Sequence, residues 1–425
     1  MTALVLLTLV AALLRIPLLT RPMGADESAS FLYYASHPLP VSLTIYGSPN
    51  NHILHSVLMR LSFLLFGREE WALRLPAFLA GVALVPLTYL AARALSERGA
   101  LIAAAFSAAA PVLIDYSTDA RGYTLLCCFV LLCTVAMARS QVVPFAISAA
   151  LGFYTIPVML YPFILLVIAF GVRRLAAAFK AVGLTIVLTI LLYLPAVIVS
   201  GMSMLTSNPY VRPVPNFLHN VPAYLNEVRI HLFVGIPLAV QIGLAIGFAI
   251  ALRQRTMATL WIGIFAVLAL VAAQRVLPFP RVWLPFLILL FITAAASWAW
   301  DERGEAAVAA ALVIALAITG MATPRVRETG ELRAVREITR TLNRAARPGD
   351  PVLALPPSEM PLAFYCTGVE VLHPDLRRPR LFAIENRDYG QSLAKTLAFF
   401  GIDPRTVAIR KLRDFGSSAL YEIRR

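Results

Sequence analysis

Apolar residues in this chain come in long, nearly unbroken blocks, and that feature constrains its fold more than any other. The blocks cover residues 2–19, 75–92, 99–114, 122–138, 143–154, 156–171, 181–199, 234–252, 257–273, 282–300 and 306–321. A helix of about 20 apolar residues crosses a bilayer, and lipid tolerates no unpaired backbone group. The pattern therefore predicts an all-α polytopic membrane protein of about eleven transmembrane helices. Hydrophobic residues make up 59% of the 425 positions and charged ones only 14%, against roughly half and a quarter in soluble domains. Disorder, collagen, a disulfide scaffold and an ordinary soluble domain are excluded. Residues 143–171 read as one helix kinked around Tyr154-Thr-Ile-Pro157 or as two short ones. The parity of spans favours two. Thr2–Leu14 lacks a basic flank and a small-residue cleavage site, so it reads as the first span and not as a signal peptide.

Charge sets the orientation. With the N-terminus in the cytoplasm, the short inner loops hold Arg93, Arg98, Arg139, Arg173, Arg174, Lys180, Arg253, Arg255 and Arg303, and the short outer loops only Arg121, Arg275 and Arg281. This is the positive-inside bias. The net charge of +14 is shared between the apolar part and the tail. It fits lipid head groups or a phosphate-bearing ligand, and no nucleic-acid motif is visible. Four cysteines give no pairing framework and no metal spacing.

Residues 1–323 thus read as a transmembrane domain with two long outer loops, 20–74 and 200–233. The second loop carries four prolines and reads as a mobile lid. Residues 324–425 read as a small soluble α/β domain on the outer side. A helix is predicted over Glu328–Ala346, with strands at Pro351–Leu355, Val407–Ile409 and Ala419–Ile423 and a helix at Gly390–Phe400.

Carboxylates collect on the outer side. Seven of the eleven in residues 1–323 lie there: Asp26, Glu27, Glu69, Glu70, Asp115, Asp119 and Glu227. A polar cluster at one membrane face is a functional hypothesis by default. Asp26 at the mouth of an apolar cavity can act as a general base. The alternative is that Asp26 caps a helix and Glu27 complements its dipole. His52 and His55 share a helix face and can donate to a phosphate. A metal is possible there, but two histidines without a third ligand do not indicate one. Trp71 and Arg74 read as an interfacial anchor. In Asp115-Tyr-Ser-Thr-Asp119-Ala-Arg121-Gly-Tyr123, the arginine can grip a phosphate or pair with an aspartate. In Pro280-Arg281-Val-Trp283-Leu-Pro285, Arg281 reads as a phosphate ligand or a snorkelling anchor.

Together these segments resemble the GT-C glycosyltransferases, in the bacterial branch similar to protein O-mannosyltransferases and to the aminoarabinose transferases of lipid A. The resemblance rests on Asp26-Glu27, Trp71-Ala-Leu-Arg74-Leu-Pro76, Tyr116-Ser-Thr-Asp-Ala-Arg121-Gly-Tyr123 and Pro280-Arg281-Val-Trp283. It implies inverting transfer of a sugar from a polyprenyl-phosphate donor to a hydroxyl or amine at the outer face of a bacterial inner membrane. The acceptor class stays open among lipid, glycan and protein. The resemblance implies Asp26 as catalytic base, Glu27 and Asp119 as orienting acids, and Arg121, Arg281 and His52 as ligands of the donor phosphate. It places His55, Tyr123 and Asn51 near the substrate, with no cofactor. One departure stands out: the aminoarabinose transferases carry Lys-Pro where this chain has Asn51-His52. A transporter or flippase of a lipid-linked glycan is the competing reading. Transporters hold their charges near the midplane and often show repeats, and this sequence shows neither.

Overall fold

The computed structural model describes residues 1–203, 211–298, 300–323 and 330–425. It divides into two compact units. One takes Met1–Leu19 and Pro38–Val326, the other Thr20–His37 and Arg327–Arg425. The second grouping departs from the sequence-based division, which kept residues 20–37 with the membrane part.

The larger unit is helical among its described residues. In chain order its helices are α1 (Thr2–Arg15), α3 (Leu39–Thr44), α4 (Ile53–Phe66), α5 (Glu70–Leu95), α6 (Ala100–Ala109), α7 (Pro111–Ser117), α8 (Tyr123–Ala138), α9 (Val142–Thr155), α10 (Leu160–Arg173) and α11 (Leu175–Ser200). They are followed by α12 (Phe217–Leu232), α13 (Leu238–Ala251), α14 (Arg255–Trp261), α15 (Ile264–Gln274), α16 (Leu284–Ala295) and α17 (Glu302–Ala322). α2 belongs to the smaller unit. Every apolar block of the sequence carries helix. Among the described residues, only Glu70–Leu95, Leu175–Ser200, Arg255–Gln274 and Glu302–Ala322 are long and apolar enough to cross a membrane by themselves, and the bent pair α6–α7 makes a fifth. The shorter apolar helices reflect early breaks. Pro157 stops α9 and starts a 3-10 turn before α10, so residues 143–171 form two helices. In the second long loop residues 217–232 form α12, and residues 204–210 lie outside the described residues.

Polar groups are placed where helices start or fail. Asp301 accepts the Gly304 amide at the start of α17, and Glu305 reaches across to accept the Leu101 amide at the start of α6, 2.7 Å away. The break between α6 and α7 is more demanding. Pro111 has no N–H to give the Ser107 carbonyl one turn earlier, and the chain bends by 59°. Arg15, fully buried at the end of α1, supplies the missing donors. Its Nη2 donates to Ser107 O (3.1 Å), its Nη1 to Ala108 O (2.7 Å) and Ala11 O (2.9 Å), and its Nε to Ser117 Oγ (2.7 Å). One guanidinium thus ties α1 to both halves of the bend.

The smaller unit is an α/β module. Its helices are α2 (Ala25–Ser30), α18 (Val335–Ala345), α19 (Glu359–Tyr365) and α20 (Leu393–Phe399). Its strands are β1 (Val352–Leu353), β2 (Arg380–Asn386), β3 (Ala408–Asp414) and β4 (Ser418–Arg424), in the order β1-β2-β4-β3. β1 runs parallel to β2, and the other pairings are antiparallel. The central strand β2 and helix α19 were not foreseen. The first tail helix starts later than predicted, at Val335, with residues 324–329 outside the described residues. α2 is held to this module by the Ala25 amide on Gly330 O (2.9 Å), the Met23 amide on the Tyr365 hydroxyl (3.0 Å) and an edge-to-face contact of Phe31 with Phe364. Gly330 sits at φ +66°, and a Cβ there would lie 2.6 Å from Pro357, so glycine is required where α2 docks.

Each buried carbonyl stripped of its donor costs about 1–3 kcal/mol. Arg15→Leu strips Ser107, Ala108 and the Ser117 hydroxyl at once. It is expected to destabilise the protein by about 3–5 kcal/mol, measured as the loss of thermal unfolding midpoint in detergent. A wild-type midpoint would refute the assignment.

Candidate functional site

The bend at Pro111 aims α7 into a short turn, Thr118–Gly122, before α8 begins. Thr118 Oγ1 closes α7 by donating to the Ile114 and Asp115 carbonyls, and the Arg121 amide donates to Asp119 O (2.6 Å). The turn thereby presents Arg121 at the start of α8. Opposite it is the loop before α4, which Asn51 ties down. The Asn51 amide donates to Ser42 O (3.1 Å) and Ile45 O (2.9 Å), and its carbonyl accepts from Ser56 Oγ (2.8 Å). With its polar atoms so occupied, Asn51 shapes the loop from within.

That loop delivers His52 to the turn. The Gly122 amide donates to His52 Nδ1 (3.0 Å), and Arg121 Nη2 lies 3.3 Å from His52 Nε2. Arg121 Nη1 is anchored on Asn50 Oδ1. The approach is close enough that a Cβ on Gly122 would meet the Thr155 methyl at 2.7 Å and His52 at 3.3 Å. The Tyr123 ring packs edge-on to His52, and its hydroxyl accepts from Arg281 Nε at 2.8 Å. The Arg281 guanidinium lies 4.4 Å from the Phe279 ring centroid and 5.8 Å from that of Tyr123. The structure therefore brings Arg121, His52, Tyr123 and Arg281 into one buried, contiguous cluster.

The chemistry of the cluster follows from its donors. Burial first, then the charge of Arg121, then His55 and Arg281, push His52 well below the usual histidine range, so its imidazole is neutral. An amide is always a donor, so Nδ1 is the acceptor and the ring proton sits on Nε2. That N–H then faces the Arg121 guanidinium, also donor only. An acceptor with negative charge, such as a phosphate oxygen, could take a hydrogen bond from each of these two donors.

The other sequence candidates are placed as follows. His55, buried, is on the first turn of α4. Asp119 is half-buried in the turn. Asp26 and Glu27 lie in the smaller unit, in the first turn of α2. Asp26 does not cap that helix: Gly24 holds the cap position, and Glu27 Oε1 reaches back to accept the Gly24 amide (2.9 Å). Asp26 is half-buried at the second helical position. Arg74 is buried and donates to Leu19 O (2.9 Å), a structural contact in place of the expected interfacial anchor. Among the described residues no three His, Cys, Asp or Glu side chains gather as metal ligands would.

Sequence reading missed His231, on the last turn of α12. Its Nε2 is 3.0 Å from the Tyr116 hydroxyl, and the Tyr116 ring packs against Tyr123. Arg281 lowers the His231 pKa further after burial, down to about 4. Its only sequence signal is a histidine on an otherwise amphipathic helix. α4, α5 and α8 line an apolar groove of about 480 Å³, with Leu58, Leu65, Leu79, Leu87, Leu125 and Phe129 in its walls. Leu125 is in the first turn of α8, directly after Arg121 and Gly122.

Known proteins share this architecture. The chain superimposes on ArnT from Cupriavidus metallidurans bound to undecaprenyl phosphate with a TM-score of 0.68 at 15% identity, over 98% of this chain and 97% of that one. The fold is that of the GT-C glycosyltransferases. The apo form of the same ArnT gives 0.67 at 15% identity over the same shares. The arabinofuranosyltransferase AftD from Mycobacteria gives 0.51 at 16% identity, over 98% of this chain but 39% of that one. Residues 49–199, which include His52, Arg121 and Tyr123, match the family of dolichyl-phosphate-mannose-protein mannosyltransferases. No curated protein matches the chain in sequence.

Two outcomes are expected. Gly122→Ala drives a methyl into Thr155 and His52 and should cost about 1–3 kcal/mol of stability, read from thermal unfolding; an unshifted midpoint would show that the contact is loose. His231 is neutral when folded, with a pKa near 4 against an ordinary 6.5. The unfolded chain binds the proton first, so this contribution is complete above pH 6.5 and is lost as pH falls towards 4. The unfolding midpoint should fall over that window, and His231→Gln should flatten the fall. An unchanged slope would mean that His231 is hydrated.

Proposed function

We propose that the protein transfers a sugar from a polyprenyl-phosphate donor to an acceptor hydroxyl or amine. The observation that carries this is the donor pair of His52 Nε2–H and Arg121, fixed by the Gly122 amide on Nδ1. A phosphate monoester or diester offers an oxyanion that can accept from both members of this pair, and Arg281 brings a second guanidinium into the same cluster through Tyr123. The groove along α4, α5 and α8 suits the polyprenyl chain, because its lining is apolar and each buried methylene contributes about 0.8 kcal/mol. The undecaprenyl phosphate in the ArnT structure supports the same donor class.

In the reaction, the acceptor oxygen or nitrogen attacks the anomeric carbon from the face opposite the phosphate. The carbon–oxygen bond to phosphate breaks, its electron pair stays on the phosphate oxygen, and the configuration inverts. The acceptor proton passes to a carboxylate. We assign that base to Asp26, on its place in the Asp-Glu pair after α1. Glu27, spent on the Gly24 amide, orients the helix. The developing phosphate charge is met by Arg121, Arg281 and the His52 N–H. Fixed donors of this kind stabilise the transition state without reorganising. We assign eleven spans, with the cytoplasmic N-terminus and outer active face that the loop arginines indicate, in a bacterial inner membrane. The acceptor class is a lipid, glycan or protein.

The test separates binding from chemistry. Asp26→Asn should lower transfer by about 10²–10⁴-fold while donor binding, followed by native mass spectrometry, persists. Arg121→Ala and Arg281→Ala should weaken donor binding by about 10–100-fold, with lysine intermediate because it keeps charge and loses the fork. Wild-type transfer in Asp26→Asn would remove Asp26 from the role of base, and a wild-type protein that moves lipid-linked glycan across vesicles without transferring sugar would be a flippase instead.

A further inference from the structure

The smaller unit contains a second pocket, built wholly from its own residues and independent of the transfer reaction. It encloses about 230 Å³, below the roughly 300–1,000 Å³ of drug-sized sites, so it accepts a body no larger than about one ring. Its lining includes Tyr33, from the turn after α2, Glu359 at the start of α19, and Phe399 and Phe400 at the end of α20, with Leu372 and Pro374 closing the side. The lining holds one carboxylate and no basic side chain. Glu359 Oε2 is buried and has no hydrogen-bond partner among the described residues. Tyr33 and Phe399 are exposed at 44% and 64%, so large aromatic surface stands at the rim.

We propose that this pocket binds a small organic cation, an ammonium or methylated ammonium on a compact apolar body. The argument runs by exclusion and then by fit. An anion would meet Glu359 with no compensating base. A sugar would bring several hydroxyls to a lining that offers one carboxylate and one phenol, leaving the rest unpaired. A neutral apolar guest would gain nothing from the carboxylate and would leave Oε2 without a donor. A divalent metal would find a single ligand. An ammonium pairs with the carboxylate and gains from the three rings, since cations are attracted to aromatic faces. Burial raises the Glu359 pKa, and Glu359 in turn adds to the upward shift of Tyr33. The two groups therefore feel each other across the pocket, and a guest cation would relieve both.

The experiment titrates the full-length protein in detergent with choline and with its neutral isostere 3,3-dimethylbutan-1-ol, read by saturation-transfer NMR and by thermal shift. Choline should bind at least about tenfold tighter than the alcohol. Glu359→Gln should erase that preference, and Phe399→Ala, at an exposed position that folding tolerates, should weaken choline by several fold. Equal binding of cation and alcohol, or choline binding unchanged in either variant, overturns the proposal. So does the absence of choline binding up to about 10 mM, a weak but measurable regime. Should Glu359→Gln fail to fold, the isostere comparison and Phe399→Ala decide.

Discussion

A carbonyl stranded inside an apolar bundle can only be satisfied by another part of the chain. That constraint governs the larger unit at the α6–α7 bend. Pro111 turns the chain by 59° and leaves Ser107 without its helical donor, and Arg15 answers from α1. A charged side chain in such a place is expensive. It is tolerated because all three of its nitrogens donate, to three carbonyls and a hydroxyl. The bend directs α7 into the turn that carries Asp119, Arg121 and Gly122. Gly122 then positions His52, and Tyr123 engages Arg281. The geometry of the basic cluster thus descends, contact by contact, from one buried guanidinium that takes no part in it.

The cluster itself is assembled against electrostatics. Two guanidiniums and two histidines are buried near one another, and the histidine shifts record the repulsion: Arg281 lowers both His52 and His231. Neutral histidines reduce the charge, and rings take up part of the remainder, with Arg281 over Phe279 and Tyr123. Carboxylates take up a further part, since Asp115 and Glu227 act on His231 in the opposite sense to Arg281. Strain of this kind concentrates at functional positions, where stability is given up for preorganisation.

Much of this was legible in the sequence. The apolar blocks became helices, and the Tyr116–Tyr123 turn and the Arg281 segment stood out as polar interruptions, as the cluster requires. The rest was hidden for physical reasons. Arg15 sits in a block that composition marks as lipid-facing, and only the distant proline explains it. His231 gains meaning from Tyr116, more than a hundred residues away. β2, with the buried run Leu381-Phe-Ala-Ile384 between two neighbours, lacks the alternation that marks a half-buried strand. Residues 20–37 read as a loop of the membrane part because their partners, Gly330, Phe364 and Tyr365, lie at the far end of the chain.

That last arrangement has a consequence in time. Ala25 leaves the ribosome about 300 residues before Gly330, whose carbonyl its amide will bind. At roughly 5–20 residues per second, the segment bearing Asp26 waits on the order of 15–60 s for the residues that fix it. Until then its contacts with Gly330, Phe364 and Tyr365 are unmade. The contacts that join α2 to the rest of the smaller unit are therefore made late, after every apolar block has been synthesised.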